Sequence, residues 1–227
     1  FFDLLPEQFV KDFCEVKNKI TQYVFDTYQR PDNYELQQKI VSITTEISNQ
    51  RLNVDLTPLK ESYENPRTRE FFKRLKAASP YVNYNPFGTK TGRLTTKRNS
   101  FPILTMDKRF RNVLQPNNDM FVELDYNAAE LRVLIGLLDM PQPDEDIHDW
   151  NIRNLYEGRI GREQAKKNIF SWLYNPNSKD EALDKHYDRG RVMNQYWDGK
   201  SVKNYYKREI ESDEYHSLNY IIQSTCS

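Results

Sequence analysis

Cysteine is scarce in this sequence, since only Cys14 and Cys226 occur among its 227 residues. Two cysteines near opposite ends form no metal-binding or redox spacing, and so few thiols indicate a reducing compartment. No apolar run approaches the roughly 20 residues that a membrane-spanning helix needs, and no signal peptide is visible. Internal repeats and low-complexity tracts are also missing. These absences argue against a disulfide scaffold, a membrane-spanning protein and a repeat array.

The sequence carries no net charge, because its 33 basic and 33 acidic residues balance. A global basic excess would have argued for a nucleic-acid partner. The charges are nevertheless unevenly spread: residues 66–111 contain twelve basic residues and only two acidic ones, whereas 139–149 is acidic. This asymmetry fits a polyanion groove in an otherwise neutral body, and it fits a solvated basic face equally well.

Helical periodicity dominates the first third of the chain. Aromatic residues make up 13% of the sequence, which indicates a folded protein because disordered chains are poor in aromatics. Apolar residues recur at three- and four-residue steps from Phe9 to Tyr28 and from Leu36 to Ile47, which predicts helices with polar faces. Nothing in residues 1–78 indicates catalysis.

The pattern changes after residue 80. Residues 81–84 alternate like a strand, and 85–88 form a turn sequence. Residues 120–125 predict a strand and 128–138 a helix with a buried apolar stripe. Beyond them the sequence predicts helices at 147–157, 161–174 and 203–226, with an irregular polar stretch from about 175 to 200.

Asp125 stands where the predicted strand 120–125 gives way to the helix. A carboxylate at such a junction is held rigidly, and Mg²⁺ prefers carboxylate oxygens together with water and substrate phosphates. The alternative is that Asp125 merely begins the helix. For Glu130 the alternative is a capping box with Asn127, three residues earlier.

Arg162, Lys166, Phe170 and Tyr174 follow one another at intervals of four residues. On a helix this spacing produces a slowly drifting line along one side. The two cations fit the phosphates of a nucleoside triphosphate, and an aromatic ring can stack on its sugar and base. The alternative is an ordinary amphipathic helix with Phe170 and Tyr174 in the core.

These two patterns resemble motifs A and B of the family A, DNA polymerase I-like, DNA polymerases. Motif A is matched by Asp125, Tyr126, Glu130, Leu131 and Arg132, and motif B by the 162–174 line. Three further segments are similar to family segments and follow the family's order: 89–96, 146–148 and 219–225. The departures are Asn-Ala in place of Ser-Gln within motif A, Ser171 and Asn175 in place of glycines in motif B, and a missing Pro and Gly in the last segment.

The resemblance assigns a role to each matching residue. Asp125 and Tyr126 would bind two catalytic Mg²⁺ ions, and Arg162 and Lys166 would act in catalysis on the triphosphate. The residues implied to contact the deoxynucleotide are Tyr126, Glu130, His148, Phe170 and Tyr174. The residues implied to contact the DNA template–primer are Arg93, Lys97, Arg98, Asn219 and Gln223.

Two of these assignments define the chemistry more closely. Glu130 would block a ribose 2′-hydroxyl, which favours DNA synthesis and disfavours the alternative of an RNA polymerase. Arg93 would reach the minor groove of the primer terminus, where acceptors occupy similar places in all base pairs. Lys97 and Arg98 are better assigned to phosphates, which set affinity and its salt dependence.

The resemblance also implies an α+β, right-hand polymerase fold. We expect a helical thumb at 1–80, a palm with a mixed or antiparallel sheet at 81–138, and helical fingers with the start of a return to the palm at 139–227. The short stretch between Tyr174 and Asn219 predicts reduced fingers, as in phage- or plasmid-type enzymes. The expected location is the cytoplasm, in a bacterial nucleoid or a phage-infected host cell.

One expected element is missing from the sequence. The family's motif C, His-Asp-Glu, should follow Gln223, but no such triplet occurs. Two-metal phosphoryl transfer needs a second fixed carboxylate, so we expect a C-terminal remainder or a second chain to supply it. The alternative from another class is a non-catalytic DNA-binding or replisome-assembly subunit with a polymerase fold.

Overall fold

Helices provide most of the regular structure in the computed structural model, which describes residues 4–60 and 63–227. The helices are α1 (Glu7–Thr27), α2 (Tyr34–Ser48), α3 (Thr57–Lys60), α4 (Pro66–Ala77), α5 (Ala129–Leu137), α6 (Ile147–Asn154), α7 (Arg162–Tyr174), α8 (Glu181–His186), α9 (Arg189–Tyr196) and α10 (Glu214–Cys226). Among the described residues, none of these helices combines the length and the apolar character needed to cross a bilayer.

Short antiparallel strand pairs supply the β structure of the described residues. The strands are β1 (Asn53–Val54), β2 (Tyr84–Asn85), β3 (Thr95–Thr96), β4 (Leu114–Gln115), β5 (Ser201–Lys203) and β6 (Glu209–Glu211). β1 pairs with β4, β2 with β3, and β5 with β6. The fold is therefore mixed α and β, as predicted, with small antiparallel sheets.

Polar caps fix the starts of several helices. Asn65 accepts a hydrogen bond from the Arg67 backbone N–H at 2.9 Å, and Pro66 fills the first position of α4. Asp146, Asp180 and Asp213 cap α6, α8 and α10 in the same way. Such side chains satisfy N–H groups that have no partner within the helix.

The chain divides into two units, residues 1–37 and 38–227. In the first unit, α1 has no buried residue, and the ring of Phe25 packs edge-on against Tyr34 with centroids 6.2 Å apart. The guanidinium of Arg30 lies over both rings, at 4.8 and 5.1 Å.

The second unit contains two hydrophobic clusters. In one, α4 packs against residues 101–113, and the rings of Phe71 and Phe110 stack with centroids 4.4 Å apart. In the other, α5, α7, α9 and α10 enclose Trp172, which is fully buried. Burying aromatic rings of this size contributes a large share of core stability.

Three sequence-based predictions of secondary structure are wrong. Residues 120–125 form no strand, and Val122 and Leu124 are 75% and 92% exposed, because no strand among the described residues pairs with them. Residues 201–211 form the β5–β6 hairpin, so only the second half of the predicted 203–226 helix exists. The stretch predicted to be irregular holds α8 and α9. The helices predicted at 128–138 and 161–174 are confirmed to within a residue or two.

Candidate functional site

Helix α7 turns its predicted line of residues away from the core. Its buried side consists of Ala165, Ile169, Trp172 and Leu173. Arg162 and Lys166 are consequently exposed, whereas Phe170 and Tyr174 are half-buried at the edge of the core. The rings of Phe170 and Tyr174 stack with centroids 6.0 Å apart and planes 14° from parallel. Two cations and two stacked rings thus occupy the outer side of one helix.

Asp146 makes side-chain contacts both with Arg162 of α7 and with Asn127, which lies just before α5. The Arg162 guanidinium donates through Nη2 to Oδ2 of Asp146, and its Nε lies 3.5 Å from a carboxylate oxygen of Asp149. Asn127 donates to the same Oδ2 of Asp146 at 2.7 Å and accepts from the Ile147 backbone N–H at 2.9 Å. The other oxygen of Asp146 caps α6 by accepting from the backbone of His148 at 2.9 Å.

The Asp146 carboxylate is held in its ionised form. Burial by itself would raise its pKa, but hydrogen bonds from the Asp149 backbone N–H and from Arg162 outweigh burial and keep the pKa below its ordinary value of 3.8. The positive charge of Arg162 is therefore largely neutralised, and an incoming anion must compete with Asp146 for it.

His148 lies buried beside this ion pair, with only 4% of its surface exposed. Burial lowers the pKa of its imidazole below 6.5, and the cations Arg162 and Lys166 lower it further against the opposing effect of Asp146. The ring is accordingly neutral at pH 7. Its Nδ1 has no hydrogen-bond partner within the described residues, which is unusual for a buried polar atom.

The start of α5 excludes the capping-box alternative for Glu130. The residue before the helix is Ala128, in the left-handed conformation with φ 50° and ψ 54°, and no side chain caps the helix. Asn127 is instead engaged with Asp146 and Ile147. Glu130 is therefore free of a capping role and turns towards Arg93.

Glu130 joins three separately predicted segments in one cluster. Its Oε1 lies 3.0 Å from Nη2 of Arg93, and the side chains are 22% and 52% exposed. Tyr174 lies close to the same carboxylate: burial raises the pKa of its phenol, and the Glu130 carboxylate raises it further. Burial, then Glu130, also raises the pKa of the neighbouring Cys226 thiol to about 11, so this thiol stays protonated.

Arg208 holds the loop that presents Arg93. Its Nε and Nη2 donate to the backbone carbonyls of Lys90 and Thr89 at 3.0 and 3.1 Å. Thr89 in turn donates through its hydroxyl to the carbonyl of Arg93 at 3.0 Å. Sequence reasoning missed Arg208, because no local pattern relates the β5–β6 hairpin to a loop more than a hundred residues earlier.

The remaining predicted DNA contacts lie on two different elements. Lys97 and Arg98 are exposed in the loop after β3, within the basic stretch 66–111. Asn219 and Gln223 are half-buried on α10, and Asn219 lines a cleft of about 720 Å³ together with Tyr174. The side-chain oxygen of Asn219 is buried without a hydrogen-bond partner within the described residues.

The predicted metal ligands Asp125 and Tyr126 lie just before α5. Asp125 and Tyr126 are exposed, and the exposed carboxylate of Asp125 is of the type that Mg²⁺ prefers. Within residues 4–60 and 63–227, however, no group of three or more His, Cys, Asp or Glu side chains could hold a metal ion. The assignment of Asp125 and Tyr126 to Mg²⁺ therefore stays a prediction.

Comparison with known proteins found no family model that matches this chain and no match among curated proteins.

Proposed function

We propose that this chain is the polymerase core of a template-directed DNA polymerase of the family A type, with a right-hand fold, which adds deoxynucleotides to a primer 3′ end. The observation that carries the proposal is the Arg93–Glu130–Tyr174 cluster. The resemblance to family A polymerases assigned the three segments to the primer terminus, the sugar and the base before their positions in the fold were known. A chance resemblance gives no reason for their side chains to meet, whereas a nucleotide site requires it.

Arg162 and Lys166 supply the positive charge for the triphosphate. Both are exposed on α7, and Phe170 and Tyr174 continue the line for the sugar and base. When Arg162 exchanges its bond to Asp146 for one to a phosphate oxygen, the Asp146 carboxylate keeps only its hydrogen bonds from Asn127 and from the backbone at the start of α6. Neutral His148 completes this end of the site as a hydrogen-bonding group behind the cations.

Glu130 selects the sugar. Arg93 pairs with its carboxylate and Tyr174 lies close to it, so both neighbours limit its rotation away from a bound nucleotide. A ribose 2′-hydroxyl would meet this fixed carboxylate, and a deoxyribose would not. Restraint by neighbours is what gives a binding group its discriminating power.

In the proposed reaction, the primer 3′-hydroxyl attacks the α-phosphate of the nucleotide and pyrophosphate leaves. Bound Mg²⁺ ions would activate the hydroxyl and stabilise the leaving group, with Asp125 and Tyr126 as ligands in this chain and a second carboxylate from outside the described residues. Arg162 and Lys166 stabilise the negative charge that develops on the pyrophosphate.

Primer extension with Mg²⁺ tests the proposal, using the protein as isolated from its source. Asp125→Ala should abolish extension and leave template–primer binding intact. Asp119→Ala changes an exposed acidic residue outside the site and should alter neither extension nor binding. Binding of a deoxynucleoside triphosphate to the chain alone, measured by calorimetry, tests the site without requiring turnover. DNA binding without extension or nucleotide binding would favour the alternative of a non-catalytic DNA-binding or replisome-assembly subunit.

A further inference from the structure

Two tyrosines project from the tip of the β5–β6 hairpin. Residues 204–208 connect the two strands, and Tyr205 and Tyr206 are 60% and 45% exposed. Their rings are perpendicular, with centroids 5.2 Å apart. Neither ring belongs to a hydrophobic core cluster, so fold stability does not account for this exposed aromatic pair.

The loop at the tip is basic, and Glu209 and Glu211 follow it on β6. Lys200, Lys203, Lys207 and Arg208 lie in the hairpin between Gly199 and Glu209, with no acidic residue among them. A cleft of about 560 Å³ beside the tip is lined by Tyr196, Tyr205, Lys203 and Lys207, among others. Cations along a groove with aromatic rings beside them are the usual composition of a surface that binds single-stranded nucleic acid.

The turn is rigidly built. Asn204 is only 2% exposed, and its Nδ2 donates to the backbone carbonyl and the hydroxyl of Ser224 at 2.8 and 2.9 Å. Its Oδ1 accepts from the Arg208 backbone N–H at 2.8 Å. Lys207 is held at φ 64°, a conformation that costs a residue with a side chain free energy. These bonds therefore hold the backbone of the turn that carries the two tyrosines.

The hairpin is anchored to both predicted DNA-contacting elements. Asn204 binds α10, which carries Asn219 and Gln223, and Arg208 binds the Thr89–Lys90 loop that leads to Arg93. The hairpin tip is therefore linked by direct hydrogen bonds to the elements that carry the predicted DNA contacts. Aromatic faces stack on unpaired bases, whereas the bases of a duplex are already stacked on one another.

From this arrangement we propose that the tip of the β5–β6 hairpin binds the unpaired template strand next to the primer–template duplex, with Tyr205 and Tyr206 stacking on its bases. The proposal rests on the proposed function, because the placement of the duplex comes from it. The basic side chains contact the phosphates and make the binding salt-dependent.

The test compares a primer–template carrying a single-stranded 5′ template overhang with a blunt duplex of the same paired length, by fluorescence anisotropy at fixed salt. Tyr205→Ala/Tyr206→Ala should weaken overhang binding by about tenfold for each stacked base and change blunt-duplex binding less than about twofold. Tyr205→Phe/Tyr206→Phe keeps the aromatic faces and should restore binding. Tyr23→Ala/Tyr28→Ala removes two exposed tyrosines of residues 1–37 and should have no effect.

Each outcome separates this inference from the proposed function. Unchanged overhang binding by the alanine pair, with duplex binding intact, overturns the inference alone. If the wild-type protein binds neither DNA, both proposals fall. If it binds oligothymidine but no duplex, and the alanine pair abolishes that binding, the tip is a single-strand site although the polymerase proposal fails.

Discussion

Gly92 offers a quantitative test of how the Arg93 loop is held. Its φ is +90°, and a Cβ at this position would lie 2.7 Å from Nη1 of Arg208. Gly92→Ala therefore forces a side chain into an unfavourable backbone conformation and pushes aside the guanidinium that binds Thr89 and Lys90. The backbone cost is about 1–2 kcal/mol, and weakening the two hydrogen bonds adds about 1–2 kcal/mol.

The expected loss for Gly92→Ala is therefore about 3 kcal/mol in the free energy of unfolding of the second unit, with a Tm lower by roughly 6–12 °C. Gly158→Ala is the matched control, because Gly158 also has a positive φ of +73° but a Cβ there meets no atom within 4 Å. It should show only the backbone cost of about 1–2 kcal/mol. The template–primer affinity of Gly92→Ala should fall several-fold because Arg93 moves, and that of Gly158→Ala should not.

Urea unfolding followed by circular dichroism measures both losses, and a double-mutant cycle isolates the contact. In an Arg208→Ala background the steric conflict is gone, so Gly92→Ala should cost no more than Gly158→Ala. Equal losses for the two glycine variants in the wild-type background would refute the role assigned to Arg208.

The remaining predictions concern the nucleotide site. Asp146→Asn keeps a good helix cap but releases Arg162, so a nucleoside triphosphate should bind this variant several-fold more tightly by calorimetry, and Asp144→Asn is the control. Unchanged or weaker binding by Asp146→Asn would refute the competition between Asp146 and the triphosphate for Arg162. Burial lowers the pKa of His148 below 6.5 in the folded protein, so the free energy of unfolding should fall as the pH drops below 6.5. In urea titrations at several pH values, His148→Gln should reduce this dependence of the unfolding free energy on pH. The part that remains is due to His186, whose pKa is also lowered by burial. Glu130→Ala should admit ribonucleotides in primer extension, and continued exclusion would contradict the sugar-gate role.

Elements with a strong local pattern could be predicted from the sequence. α7 spans Arg162–Tyr174, within one residue of the predicted 161–174, because helical periodicity over thirteen residues is a strong local signal. The β5–β6 hairpin could not be recognised, since only Val202 and Ile210 carry its buried face and both also fit a helical period. Whether two or three residues form a strand depends on the segment with which they pair, and a local sequence pattern carries no information about that segment.

The types of residue at the candidate site were predictable, but their contacts were not. The pairings of Arg93 with Glu130 and of Arg162 with Asp146 span 37 and 16 residues, so they depend on how the elements pack. The sequence placed Asp146 beside His148 but gave no reason to expect its bond to Arg162. Arg208 was missed altogether, because its role exists only through the backbone of a distant loop.

The exposed stretch 120–126 has a consequence for the behaviour of the protein at high concentration. It contains four large apolar side chains that are 63–92% exposed, together with Tyr126 at 81%, and it has neither lysine nor proline to discourage strand pairing. The backbone N–H and C=O groups of this stretch in one copy can pair with those of a second copy, and such pairing would cover Asp125. Light scattering should therefore show self-association that increases with protein concentration. The specific activity should fall as the protein concentration rises.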